Sequence, residues 1–153
     1  MIKEERTLLH IDLSGRVPYD TILKVKGLVT SNEEFGDAYL NTVSWYEEVS
    51  VRDGSRVLYD IADVRPYLRP ISSMTEEEKE ELRNTYDWVY NEYPFDDEDE
   101  DEDDLRDLRN VEDVGGHYEP SAETYDWYNR KGFDYRGLIP KGLALEAKEG
   151  MYN

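Results

Sequence analysis

The stretch Val49-Ser50-Val51-Arg52-Asp53-Gly54-Ser55-Arg56-Val57-Leu58-Tyr59-Asp60-Ile61 contains the strongest local fold signal in this chain of 153 residues. Asp53-Gly54 is typical of a type I′ hairpin turn, because both central residues of that turn take positive φ values. Apolar residues alternate on either side of the turn. The stretch therefore predicts a hairpin between a strand with Val43, Trp45, Val49 and Val51 on one face and a strand over Arg56–Ile61.

Two earlier segments also have the period of two that is typical of strands. Leu9, Ile11 and Leu13 alternate with polar residues and predict a strand over Thr7–Leu13, and a similar pattern predicts a strand over Thr21–Val29. Ser31–Asp37 is expected to be a polar loop. Pro66 and Pro70 are expected to end the β region, because proline donates no hydrogen bond to a sheet. The pattern predicts a small antiparallel sheet or partly open barrel of about four strands.

Helical signals follow in the second half. Thr75-Glu76-Glu77-Glu78 has the pattern of a capping box, and Leu82, Tyr86, Val89 and Tyr93 then form one apolar stripe of a helix expected to stop near Pro94. Ala122–Arg130 predicts a second helix, with Ser121 as its cap and Gly132 just past its end. We expect Leu138, Ile139, Leu143 and Leu145 of the tail to pack on the core, partly as a closing strand. The predicted fold class is α+β.

The charge of −19 is concentrated in the middle of the chain. Residues 72–119 have 20 acidic and 4 basic residues, whereas residues 1–71 have a net charge of −3 and residues 120–153 are neutral. Like charges at this density repel each other and stay solvated. We therefore predict a single domain over 1–153 with an acidic, flexible insertion at 95–119. The absence of Cys and of an apolar leader or span predicts a cytoplasmic protein without contact to a membrane.

The acidic residues are the candidate partner-binding site. A polyanion of this kind can imitate a phosphate backbone or bind a basic groove; the simpler alternative is a run that only keeps the protein in solution. The residues assigned to this site are Asp96, Asp97, Glu98, Asp99, Glu100, Asp101, Glu102, Asp103, Asp104, Glu76, Glu77 and Glu80. Direct binding of nucleic acid is not expected, since phosphate contacts depend on Lys and Arg.

No motif predicts catalysis, a metal or a cofactor. An EF-hand that starts at Asp97 would need Gly and Glu where Glu102 and Leu108 stand. His10 is expected on a strand and His117 in a loop, and the sequence has no P-loop, G-x-S-x-G or G-x-G-x-x-G pattern. Trp45, Trp88 and Trp127 are expected to pack in a core or an interface rather than to stack on bases.

Three segments carry a family resemblance: residues 12–25 (DLSGRVPYDTILKV), 65–82 (RPYLRPISSMTEEEKEEL) and 134–152 (DYRGLIPKGLALEAKEGMY). Together with the Tyr-Asp-Trp element near Trp127, they resemble a family of small proteins encoded by phages and prophages of gut Bacteroides and their relatives. The chain differs from the family pattern at Ser14-Gly15 and in its long acidic insertion. The resemblance implies a viral origin and a cytoplasmic setting in a bacterial host, and it implies no activity.

Three functional hypotheses remain. The first is a non-catalytic phage or mobile-element accessory protein that binds a host protein, such as a CRISPR effector, with its acidic segment as a nucleic-acid mimic. The second is a structural or regulatory interaction module whose binding surface includes the arginines of the β region, namely Arg52, Arg56, Arg65 and Arg69. The third is a hydrolase that uses scattered carboxylates.

Overall fold

The computed structural model describes residues 1–89 and 122–152, and it opens with a helix, α1, over Lys3–Arg16. The carboxylate of Glu5 accepts a hydrogen bond from the amide of Ile2 (3.0 Å), and Glu4 and Glu5 lie where the helix dipole favours negative charge. The helix is followed by its C-cap, Val17, which stands directly before Pro18. Helix α1 therefore has stabilising charges at its start and a residue that cannot continue it after its end.

The prediction of a strand over Thr7–Leu13 is wrong. The buried residues of this segment are Leu9, Asp12, Leu13 and Arg16, and their spacing of three and four is that of a helix face. Ile11, which the alternation placed beside Leu9 and Leu13, is 48% exposed. Leu9 and Leu13, four positions apart, fit both periods, and the buried pair Asp12 and Arg16 fits only the helical one.

Six strands form a sheet in the order β4-β3-β2-β1-β5-β6. The strands are β1 (Ile22–Lys26), β2 (Phe35–Val43), β3 (Glu48–Val51), β4 (Tyr59–Asp60), β5 (Val64–Leu68) and β6 (Leu145–Glu146). Neighbouring strands are antiparallel except β5 and β6, which pair in parallel. The class α+β is thereby confirmed, with a larger sheet than the four strands predicted.

The first residues of β2 belong to the segment Ser31–Asp37, which was predicted to be a polar loop. Only Leu40 among the nine residues of β2 is buried, so this strand has no buried apolar face that an alternating sequence pattern would reveal. Gly36 lies within the strand and does not end it. A side chain at this position would meet Leu28 and Ser31 at 2.7 and 2.8 Å. A glycine is thus required where β2 passes close to the turn that follows β1.

Pro66 does not end the β region but lies inside β5, opposite Leu23 of β1. Strand β6 pairs only with Tyr67 and Leu68. Pro66 is therefore at a point where β5 has a hydrogen-bonded neighbour on one side, the kind of edge position that tolerates proline.

The predicted hairpin is present with a longer connection. Strands β3 and β4 pair through Glu48 with Asp60 and Val49 with Tyr59. Gly54 has a positive φ of 76°, and Ser55 donates hydrogen bonds to the carboxylate of Asp53 from both its amide and its hydroxyl. The strand predicted over Arg56–Ile61 is reduced to Tyr59–Asp60. Arg56 takes a positive φ, which excludes it from the extended backbone.

One apolar core joins α1, the sheet and the tail. It includes Leu9, Leu13, Leu23, Val25, Leu40, Val49, Ile61, Val64 and Leu68, all fully buried, together with Leu138 and Leu143. The predicted packing of Leu138 and Leu143 is confirmed, and β6 is the closing strand. The hydroxyl of Tyr152 accepts a hydrogen bond from the amide of Ile22 (2.9 Å) and donates one to the carbonyl of Tyr67 (2.7 Å).

The chain divides into two units, one made of Met1–Pro70 with the residues from Asn129 onward and one spanning Ile71–Tyr128. In the described part of the second unit, α2 (Glu76–Val89) begins with the predicted capping box: the amide of Glu78 donates to the hydroxyl of Thr75 (3.1 Å), and the amide of Thr75 donates to the carboxylate of Glu78 (3.0 Å). Helix α3 (Ala122–Lys131) is also confirmed, and it ends before Gly132, whose φ is 79°. The predicted stop near Pro94 and the cap at Ser121 lie outside the described residues, and the single domain stays a prediction.

Candidate functional site

The predicted acidic site is described only in part. Residues Asp96–Asp104 and the insertion predicted at 95–119 lie outside the described residues. Glu76, Glu77 and Glu80 are exposed on the first turns of α2. Glu76 pairs with Lys79 at 3.1 Å, and within the described chain Glu77 and Glu80 form no ion pair. These two carboxylates are therefore available to a partner.

The other acidic residues at the start of α2 have structural contacts. Glu78 is buried in the capping box, and the carboxylate of Glu81 accepts a hydrogen bond from the indole Nε1 of Trp127 (3.1 Å). Trp127 itself is 3% exposed and lies edge-on to Tyr128. The expectation that Trp127 packs in a core is confirmed, and Glu81 supplies the partner that a buried indole N–H requires.

Trp45 occupies a different environment from the predicted one. It does not line a strand face but lies in the turn Ser44–Glu47 between β2 and β3, where it is 87% exposed. The next residue, Tyr46, is 81% exposed. We call this segment the Trp45–Tyr46 turn. The signal that could have located it is Glu47, a charged residue on what would have been the apolar face of a continuous strand.

Hydrogen bonds fix the backbone of the Trp45–Tyr46 turn. The hydroxyl of Ser44 accepts hydrogen bonds from the amides of Tyr46 and Glu48, both at 3.2 Å, and the amide of Glu47 donates to the carbonyl of Ser44 at 3.1 Å. Glu47 has a φ of 59°, a left-handed conformation uncommon for residues other than glycine. The turn therefore keeps one shape while both of its aromatic side chains point to solvent.

Helix α1 holds the same turn from outside. The ring Nε2 of His10 donates to the carbonyl of Ser44 (3.0 Å), so His10 has a structural partner and is not on a strand. The guanidinium of Arg6 binds the carboxylates of Glu47 (2.7 Å) and Asp60 (2.9 Å). The hydrogen bonds with Glu47 and Asp60 raise the pKa of Arg6 above its usual value. Arg6 and His10 thus tie the turn to a helix whose neighbouring residues Leu9 and Leu13 are in the core.

A buried ion pair lies at the other end of α1. Asp12 and Arg16 are both 0% exposed, and Arg16 Nε donates to the Asp12 carboxylate at 2.8 Å. The second terminal nitrogen of Arg16 donates to the carbonyl of Phe133 at 2.7 Å. Burial lowers the pKa of Arg16, but the charge of Asp12 and its hydrogen bond outweigh that effect and raise it overall. This cluster attaches the C-terminal part of the chain to α1.

Two open clefts lie on the first unit. One of about 480 Å³ is lined by Tyr19, Tyr39, Arg130, Lys131 and Tyr152 among others. The other, of about 590 Å³, is lined by Lys24, Phe35, Asp37, Tyr67 and Lys148 among others. Neither has a histidine among its described lining residues. The first cleft has cations and rings among these side chains, and the second also has the carboxylates of Glu33, Glu34 and Asp37.

Tyr67 is the one titrating group in these clefts with a large pKa shift among the described residues. Burial and a hydrogen bond from its hydroxyl to Asp37 (2.9 Å) raise the pKa of Tyr67 to about 12. A phenol with so high a pKa stays protonated at neutral pH. It therefore acts as a hydrogen-bond donor to Asp37 and not as a base.

The described residues contain no group of three or more His, Asp or Glu that could hold a metal ion, and none of the described helices has the length and apolar character of a membrane span. The loop predicted at His117 lies outside the described residues. Comparisons with family models, with curated proteins and with solved structures found no match to this chain.

Proposed function

We propose that this protein is a non-catalytic binding protein of a phage or mobile element that binds a basic surface of a host protein. The observation that carries the proposal is the charge distribution, with a net −16 over residues 72–119 against −3 and zero in the flanking parts. A dense polyanion attracts a cationic groove over several ångströms and accelerates encounter with it. The protein class with the most suitable groove is one that binds nucleic acid, such as a nuclease of a host defence system.

Two further observations support the acidic residues as the binding determinant. Glu77 and Glu80 are exposed and free of ion pairs within the described chain, so no internal contact has to be broken on binding. The arginines of the alternative hypothesis are mostly engaged. Arg52 binds Asp20 at 2.5 Å, Arg65 donates to three carbonyls, and Arg69 lies 4.2 Å above the ring of Phe133. A partner would have to compete with these contacts.

The test uses three full-length forms of the protein to capture partners from a Bacteroides lysate at about 0.1 M and about 1 M salt, between which the screening length falls from ~10 to ~3 Å. One form is the wild type, one lacks Asp96–Asp104, and one has these nine residues replaced by Asn and Gln at the same length. We expect one host protein to be retained by the wild type at low salt only, to be lost from both variants, and to be displaced by added single-stranded DNA. Equal retention of that protein by all three forms would overturn the proposal.

The exposed acidic residues of α2 allow a finer test with the same partner. The triple variant Glu76→Gln, Glu77→Gln and Glu80→Gln removes three charges from exposed positions and leaves the capping box intact. We expect weaker binding and a smaller slope of log affinity against log salt. Unchanged binding would restrict the site to the acidic run.

A further inference from the structure

The Trp45–Tyr46 turn is the most exposed aromatic feature in the described part of the chain. Its two side chains are 87% and 81% exposed, whereas Phe35 and Tyr39 are exposed by 40% and 49%. Trp and Tyr are the side chains that most often dominate binding energy at protein interfaces. A pair of them on a fixed backbone loses little conformational freedom on binding, which favours affinity.

Other aromatic rings of this protein have a cationic side chain beside them. Lys24 lies 4.8 Å from the ring of Phe35, Arg52 lies 6.0 Å from that of Tyr39, and Lys148 lies 5.4 Å from that of Tyr67. Each of these rings has a cation of the chain on its face. Within the described residues, no cation or ring lies against Trp45 or Tyr46. Their faces are open to a cation from another molecule.

The charges beside the turn favour the same occupant. Glu47 and Asp60 are both bound by the single guanidinium of Arg6, which leaves one negative charge in excess, and Glu48 adds another. An acidic partner or a phosphate backbone would be repelled here. A cationic side chain would meet both an aromatic face and a favourable potential. Arginine fits better than lysine, because its planar guanidinium stacks on a ring and is less strongly hydrated.

We propose that the Trp45–Tyr46 turn is an aromatic anchor for an arginine side chain on the surface of a partner protein. This inference rests on the proposed function in that it takes the partner to be basic. It adds a second binding determinant, in the β region, and it specifies that the partner presents arginine rather than positive charge in general.

The test measures how strongly the full chain prefers octa-arginine over octa-lysine, by titration calorimetry at a fixed salt concentration. Both peptides carry the same formal charge, but guanidinium groups also pair bidentately with carboxylates, so the quantity of interest is the part of the preference that depends on the two rings. We expect the two rings to account for about a 2-fold tighter binding of octa-arginine, because lysine also makes a cation–π contact and only the difference between the two contacts is measured. The double variant Trp45→Ala, Tyr46→Ala should lose this part of the preference, and Trp45→Phe, Tyr46→Phe should keep some of it. Both sites are exposed, so both variants should fold, which circular dichroism will check.

Tyr39→Ala is the matched control, because it also removes an exposed tyrosine, but one whose ring already has Arg52 on it. It should leave the preference unchanged. A double alanine variant that keeps the full preference for octa-arginine, or a control that loses it equally, would overturn the inference.

The variant that lacks Asp96–Asp104 separates this inference from the proposed function. If loss of the acidic run lowers the affinity for both peptides equally and leaves the preference for octa-arginine intact, both proposals are supported. If its loss changes neither affinity while the alanine variant still lowers the preference, the acidic site is wrong and the aromatic anchor stands.

Discussion

Helix α1 has an arginine near each end, and the two arginines bind carboxylates in opposite surroundings. Arg16 and Asp12 are completely buried, and Arg16 also holds the carbonyl of Phe133. Arg6 is partly exposed, with 26% of its side chain accessible, and binds Glu47 and Asp60 beside the Trp45–Tyr46 turn. The first cluster joins distant parts of the chain, whereas the second sets the shape of a surface turn. The same pair of residue types thus serves stability at one end and the candidate interface at the other.

The largest effect is expected at the buried end. Arg16→Ala leaves the carboxylate of Asp12 in the core with only the partly exposed Arg136 near it, 3.4 Å away. Loss of one member of a buried pair costs about 3–5 kcal/mol. Urea denaturation should show this decrease in the free energy of unfolding.

The double variant Asp12→Leu, Arg16→Met serves as the control for this prediction. It removes both charges and fills most of their volume, so it should be more stable than Arg16→Ala. If Arg16→Ala lowers the free energy of unfolding by less than about 1 kcal/mol, the buried pair is worth no more than an exposed ion pair, and the prediction is wrong.

A smaller effect is expected from the hydrogen bonds that Tyr152 of the tail makes with the sheet. Tyr152→Phe removes the hydroxyl that joins the amide of Ile22 to the carbonyl of Tyr67. Two partly buried backbone groups then lose a partner, which should cost about 1–2 kcal/mol in thermal or urea unfolding. Tyr46→Phe is the matched control, since its hydroxyl is on a side chain that is 81% exposed. Equal stability of both variants would contradict the assigned bridge.

The smallest effect is expected at the exposed end. Arg6→Gln should lower the free energy of unfolding by less than about 1 kcal/mol, as is typical of exposed ion pairs. Its effect should be visible instead in the pKa of Asp60. The amide of Ala62 and the guanidinium of Arg6 hold this pKa below its usual value. Stability from Asp60 is therefore present above the usual aspartate pKa of about 3.9 and is lost as the pH falls through the lower, folded value.

Carbon-13 NMR of the carboxyl groups measures this change directly. In Arg6→Gln the pKa of Asp60 should rise but stay below its usual value, because the Ala62 amide remains. Asp53 is the internal control, since hydrogen bonds from Ser55 lower its pKa and Arg6 takes no part. An Asp60 pKa that does not respond to the substitution would mean that Arg6 is not its partner in solution.

Local signals in the sequence predicted the elements whose ends are determined by their own residues. Thr75 and Glu78 form the capping box, and Gly132 follows α3 with the positive φ that its position requires. Strand β1 follows the alternation of Leu23 and Val25, which are both buried. In each case the physical cause lies within a few residues of the element.

The wrong predictions concern segments whose structure depends on distant partners. The alternation of Leu9, Ile11 and Leu13 is compatible with a strand, and it does not contain the contact of Arg16 with Phe133, 117 positions away. Strand β2 has few buried side chains and gains its hydrogen bonds from β1 and β3. The exposure of Trp45 depends on Arg6 and His10, which lie in another element. An apolar pattern alone does not contain these contacts.

The parallel pairing of β5 with β6 has a consequence for the order of folding. Arg16 is separated from Phe133 by 117 positions, and Ile22 is separated from Tyr152 by 130. A ribosome that adds about 5–20 residues per second leaves several seconds between the synthesis of β5 and that of its parallel neighbour. During that time the β5 edge is open and the guanidinium of Arg16 lacks the Phe133 carbonyl that accepts one of its hydrogen bonds. Contacts this distant also slow folding after release, so chaperones that bind exposed strands have their best opportunity in this interval.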